Sequence, residues 1–95
     1  NVRLQFDLAA SIQGQAVLEF RRRRFDAAAG LLSESLTLFD AGLTASPESR
    51  EQRFNYAQTL AWQGRVEAAR GRPRDGVAAL QRAVAIYAEP EVSAR

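Results

Sequence analysis

The chain has 95 residues, of which 46% are hydrophobic and 25% charged, with 13 basic and 11 acidic side chains and a net charge of +2. Those proportions suit one folded domain and exclude a disordered chain, and no apolar run approaches the roughly 18 residues of a membrane span. Cys and His are absent, which excludes disulfides, thiolate chemistry and Cys-based metal sites, and removes the commonest metal ligand and general base.

All 13 basic residues are Arg, and Ala occurs 18 times. Ala leads the helix-propensity scale, and Arg, Leu, Glu and Gln follow closely. β-branched residues are few and scattered. The composition therefore predicts an all-α fold. A net charge this small does not demand a polyanionic partner.

The first predicted helix runs from about Arg3 to Arg22. Leu4, Leu8, Ile12 and Ala16 recur at every fourth position, and Phe6, Val17 and Phe20 widen the stripe. The second runs from about Asp26, read as its N-cap, to Ala45. Ala28, Leu32, Ser35, Leu36, Phe39 and Leu43 follow helical spacing. Ser46 is read as the next cap, with Pro47 in the first helical position and Glu48 and Glu51 near the positive end of the dipole. That third helix reaches about Arg70, and Gly71-Arg72-Pro73 ends it. The fourth covers about Arg74 to Ala88, with Val77, Leu80, Ala83, Val84 and Tyr87 on one face, and Glu89-Pro90 stops it.

The four helices contain a repeat. In the odd-numbered helices an offset of 50 pairs Gln13-Gly14 with Gln63-Gly64. In the even-numbered helices an offset of 48 pairs Leu32 with Leu80, Ser35 with Ala83, Leu36 with Val84 and Phe39 with Tyr87. The difference places two extra residues near Arg21–Arg24. Gly14, Ala16, Gly64 and Ala28 or Gly76 are the expected points of close helix crossing.

This spacing resembles the tetratricopeptide repeat, a helix pair with a small residue late in its first helix and a Gly-x-x-x-x-Ala type of turn. Gly64, the turn Gly71–Val77, and then Leu80, Ala83, Val84 and Ile86 carry the likeness in the second unit. Gly14, Arg24–Ala28, Leu32, Ser35, Leu36 and Leu38 carry it in the first. The period exceeds the usual 34 and is similar to that of longer-period repeats in some large bacterial proteins. The resemblance implies antiparallel helix pairs stacked as an α-α superhelix, with one domain over residues 1–95 made of unit one (1–45) and unit two (46–95). Such arrays normally need about three units, so the expectation is a fragment of a longer array, or a chain that self-associates through its exposed end helices.

By the same resemblance, the first helix of each pair lines a groove that takes a protein or peptide. The groove positions would be Leu8, Ser11, Ile12, Gln15 and Leu18 in the first unit, and Gln58, Ala61, Trp62, Arg65 and Ala69 in the second. Ser11, Gln15, Gln58, Trp62 and Arg65 are the candidate partner-binding residues. Trp62 and Arg65, three positions apart, suit an acidic or C-terminal peptide. The plainer reading packs Trp62 on a neighbouring helix and leaves Arg65 in solvent.

Arg21–Arg24 is read first as a solvated helix end matched to the dipole. A nucleic-acid-binding module built on that run is the alternative of a different class, and a regulatory segment of a larger enzyme is a third. The run lacks interleaved aromatics, so nucleic acid is disfavoured. Glu19, Glu34, Glu67 and Asp75 show no metal-ligand spacing, and Ser11, Ser33, Ser35, Ser46 and Ser49 have no His to activate them. No catalytic residue, cofactor or metal is expected, nor a membrane partner, and a cytoplasmic location is.

Overall fold

The Asn1 side chain accepts a hydrogen bond from the Leu4 amide and so starts α1, Val2–Arg21, in the computed structural model of the chain, which describes residues 1–93. The further helices are α2 (Phe25–Ala45), α3 (Arg50–Ala69), α4 (Pro73–Tyr87) and a closing turn, α5 (Pro90–Ser93). The described residues contain no strand, so the all-α reading is correct. Residues 94 and 95 of the second unit lie outside the described residues.

Local chemistry moves several helix starts. Phe25 already belongs to α2, with Arg24 at the cap, so Asp26 sits in the first turn instead of capping. Ser49, not Ser46, caps α3 by accepting from the Gln52 amide. The Ser46 hydroxyl is bonded to the Glu48 carboxylate, and Pro47 lies in the connecting turn. Pro73 opens α4 rather than only ending α3, a place where its missing N–H costs nothing.

The repeat has one period, not two. The starts of α1 and α3, their C-caps Arg22 and Arg70, and the starts of α2 and α4 are all 48 residues apart. The intervening turns are bonded alike. Arg23 donates to Phe20 O and Arg24 to Glu19 O; Gly71 donates to Ala68 O and Arg72 to Glu67 O. Each is the paired bonding that closes a helix through a left-handed residue. The expected two-residue insertion near Arg21–Arg24 is absent, because Arg23 itself takes the left-handed conformation that Gly71 supplies in the second turn.

The uniform register corrects the expected crossing points. Gly64 matches Ala16, not Gly14. A Cβ on Gly64 would lie 2.6 Å from Leu80 Cγ and 3.0 Å from Gly76 O, so α3 and α4 cross backbone to backbone there. Ala16 is buried with Ala28 and Leu32 at the same place in the first pair. Gly14 is exposed, with nothing within 4 Å of its Cβ direction.

Within the pairs, α1 packs on α2 and α3 on α4, and α3 also lies against α2 and α1. Phe6, Ala9, Leu36, Phe39, Leu43, Tyr56, Leu60 and Ala83 form one core across both pairs. The buried Ser35 hydroxyl donates to Ala9 O (2.8 Å), which satisfies a polar group inside the first pair. The Gln13 amide bonds Thr59 Oγ1, linking α1 to α3. At the far end Arg53 pairs with Glu89, holding the end of α4 against the start of α3. Among the described residues α4 packs only on α3 and α5. Leu32 is 1% exposed but its counterpart Leu80 is 41% exposed, although the two hold the same place in the repeat.

Candidate protein-interaction surfaces

The α3 face begins with packing. Trp62 is half-buried, and its ring meets Phe20 of α1 edge-on at 5.6 Å. Phe20 in turn meets Phe25 at 5.5 Å, so Phe20, backed by Phe25, fixes the indole. One turn on, the Arg65 guanidinium lies 4.6 Å from the centre of the Trp62 ring, within the range of a cation–π contact. Arg65 is exposed and pairs with no carboxylate among the described residues. Gln58 is exposed one turn before Trp62. The plainer reading is met, since Trp62 packs on a neighbouring helix and Arg65 is exposed, and the indole also carries the Arg65 guanidinium.

Ser11 and Gln15 do not join this group. Both are exposed on α1, but their counterparts in the 48-residue register are Thr59 and Gln63. Thr59 is buried against α1. One residue is about 100° around a helix, so Ser11 and Gln15 point a quarter-turn away from the face of Gln58 and Trp62. The α1 counterparts of Gln58, Trp62 and Arg65 are Ala10, Gly14 and Val17. Ile12, expected to face the groove, is buried. Leu8 and Leu18 are exposed as expected, and Ala61 is half-buried.

The arginine run is largely occupied. Arg22 and Arg24 both reach Glu19, at 3.2 and 3.6 Å. Arg23 lies over the Phe25 ring. In the second turn Arg70 pairs with Glu67 and with Asp26, each at 2.9 Å. The Glu67 hydrogen bond and then Asp26 raise the Arg70 pKa above its ordinary value. Arg23, Arg24, Arg70 and Arg72 thus border a shallow open cavity of about 420 Å³ that also holds Asp26. The arrangement alternates charge and is no continuous cationic stripe.

The exposed end helices were expected from the resemblance, but the residues that make up their exposed apolar faces were not singled out as such. Leu4, Leu8 and Leu18 on α1, and Val77, Leu80 and Val84 on α4, are large apolar side chains in solvent. Their helical spacing was visible, but spacing marks an apolar face without saying whether anything covers it.

Comparison with protein-family models, with curated proteins and with solved structures finds no match. Among the described residues no helix is long and apolar enough to cross a membrane.

Proposed function

We propose that this chain is a non-catalytic protein-interaction scaffold of tetratricopeptide-like helix pairs. It takes an acidic or C-terminal peptide on the α3 face formed by Gln58, Trp62 and Arg65. The observation that carries this reading is the exposed Arg65 guanidinium held on the Trp62 ring with no acidic partner among the described residues. An exposed guanidinium held in place can offer a carboxylate two parallel N–H donors. Because Phe20 and Phe25 already fix the indole, little side-chain freedom remains to be lost on binding. The nucleic-acid alternative has weaker support, since Glu19, Glu67 and Asp26 engage Arg22, Arg24 and Arg70.

Trp62 is the only Trp in the chain, so its fluorescence reports on this face alone. Peptides ending in Asp or Glu should quench or shift it in a saturable way. Arg65→Glu should abolish the response, and Arg65→Lys should weaken it, with helical circular dichroism unchanged. A response that survives Arg65→Glu, or equal binding of neutral peptides, would remove the proposal.

A further inference from the structure

The 48-residue register allows each exposed apolar residue at the ends to be compared with a buried counterpart inside. On α2, Ala29, Leu32, Leu36 and Phe39 lie under α3; Leu32 is 1% and Leu36 9% exposed. Their counterparts on α4 are Val77, Leu80, Val84 and Tyr87. Tyr87 is half-buried against the Phe54 ring of α3, at 5.5 Å, but among the described residues no further helix lies over the outer side of Val77, Leu80 and Val84, and Leu80 is 41% and Val84 63% exposed. On α3, Tyr56 packs on Phe39, and Val66 joins Ala16, Ala28 and Leu32. Their counterparts on α1 are Leu8 and Leu18, which are 52% and 50% exposed. The outer face of α4 is thus the unpaired repeat of the α2 face, and the outer face of α1 is the unpaired repeat of the α3 face.

We propose that these two faces take each other: α1 of one copy of the chain docks on α4 of a second copy, reproducing between molecules the contact that α3 makes on α2. The occupant is a second copy because the internal contact is itself made by this sequence, and both of its apolar halves recur at the ends. The contact joins unlike faces, so it is heterologous and propagates instead of closing at a dimer. It uses the ends of the molecule and not the Trp62 face.

The polar contacts of the internal seam do not recur. Arg70 pairs with Asp26 inside the chain; the corresponding residues across two copies are Arg22 and Arg74, two cations. Gln13 bonds Thr59 inside; the counterparts are Ala61 and Ser11, too short to meet. An exposed charge pair is a small effect beside a seam of large apolar side chains, so docking still proceeds, but more weakly than the internal contact, and added salt strengthens it by screening the two arginines.

The test is sedimentation of the 95-residue chain over rising concentration, with two variants at exposed positions. Wild type should form species beyond a dimer as concentration approaches about 1 mM. Leu8→Glu disables the α1 face and Val84→Glu the α4 face, so each variant alone should be monomeric with unchanged circular dichroism. Mixed in equal amounts they should form a 1:1 dimer and nothing larger, since one live face of each kind remains. Arg74→Asp should tighten wild-type association about 2- to 5-fold at low salt by restoring an ion pair with Arg22. Wild type that stays monomeric overturns the proposal. So does dimerisation by either single variant, which would show like faces meeting, or a mixture that fails to pair. A Trp62 response to acidic peptides that persists in Val84→Glu separates failure here from failure of the peptide-binding reading.

Discussion

Arg23 and Gly71 occupy the same step of two matched turns, and both hold a positive φ, 62° and 78°. Glycine takes this conformation freely, whereas Arg must bring its Cβ close to the neighbouring carbonyl. Arg23 recovers part of that cost through its contact with the Phe25 ring. Arg23→Gly should therefore raise stability by about 0.5–1 kcal/mol. Gly71→Ala should lower it by about 1 kcal/mol. Denaturant melts of the two variants check both signs, and equal effects would mean that the turns are not equivalent.

Gly64 and Gly14 should respond in opposite directions. At Gly64 any side chain meets Leu80 and the Gly76 backbone. Gly64→Leu should overpack the α3–α4 crossing and cost about 1–3 kcal/mol or more. Gly14 is an exposed helical residue with open space beyond it, so Gly14→Ala should stabilise by up to about 1 kcal/mol through helix propensity. The two midpoints should bracket wild type.

Leu32→Ala should cost about 2–5 kcal/mol, because a fully buried side chain leaves a cavity. Leu80→Ala removes a side chain that is 41% exposed and should cost about 1 kcal/mol. The pair measures what the cover of α3 adds to one and the same position in the repeat. Equal losses would show that α4 is covered in solution, as it would be at concentrations where copies dock.

Much of the fold was legible because its signals are local: helical spacing and Gly71 as a left-handed stop act within one turn of chain. The caps are as local, but several residues near each start could serve, so Ser46 was read where Ser49 caps, Pro73 was read as a stop where it opens α4, and Asn1 was not read as a cap. The repeat was legible in the even-numbered helices, where large side chains face shared neighbours. It was misread in the odd-numbered ones because the Gln13-Gly14 and Gln63-Gly64 identity outweighed packing. Arg23 concealed the true register, since a left-handed Arg carries no sequence signature comparable to glycine.

The same error displaced two of the five candidate residues. With an offset of 50, Ser11 and Gln15 looked like companions of Trp62 and Arg65; with 48 they match Thr59 and Gln63, whose face turns toward the preceding pair. The Trp62–Arg65 contact was legible from spacing alone, as both residues lie on one helix. The aromatic support from Phe20 and Phe25 was not, because it joins residues far apart in the chain through tertiary packing. Nor could periodicity separate Leu32 from Leu80, since their difference lies wholly in what comes next along the stack.

Alkaline pH isolates two side chains. The chain contains no Lys, Cys or His and only two Tyr, and Arg stays protonated throughout, so Tyr56 and Tyr87 alone titrate among side chains between about pH 9 and 12. Both phenols are raised above their ordinary value of 10.0, burial being the first cause in each; Asp40 adds to it at Tyr56, and the nearby Arg82 opposes it. A group that is harder to ionise folded than unfolded favours the fold while it is neutral. That contribution is complete below about pH 10 and is lost as the pH rises through the higher folded value. The melting temperature should therefore be nearly flat from about pH 6 to 9 and fall above about 10. Tyr56→Phe should lower stability by about 1 kcal/mol at neutral pH, because Arg82 loses the hydroxyl to which it donates at 2.8 Å. It should also make the alkaline decline shallower, since one of the two titrating phenols is gone. Thermal melts by circular dichroism across this range measure both effects, and parallel alkaline slopes for variant and wild type would show that Tyr56 ionises as easily in the fold as out of it.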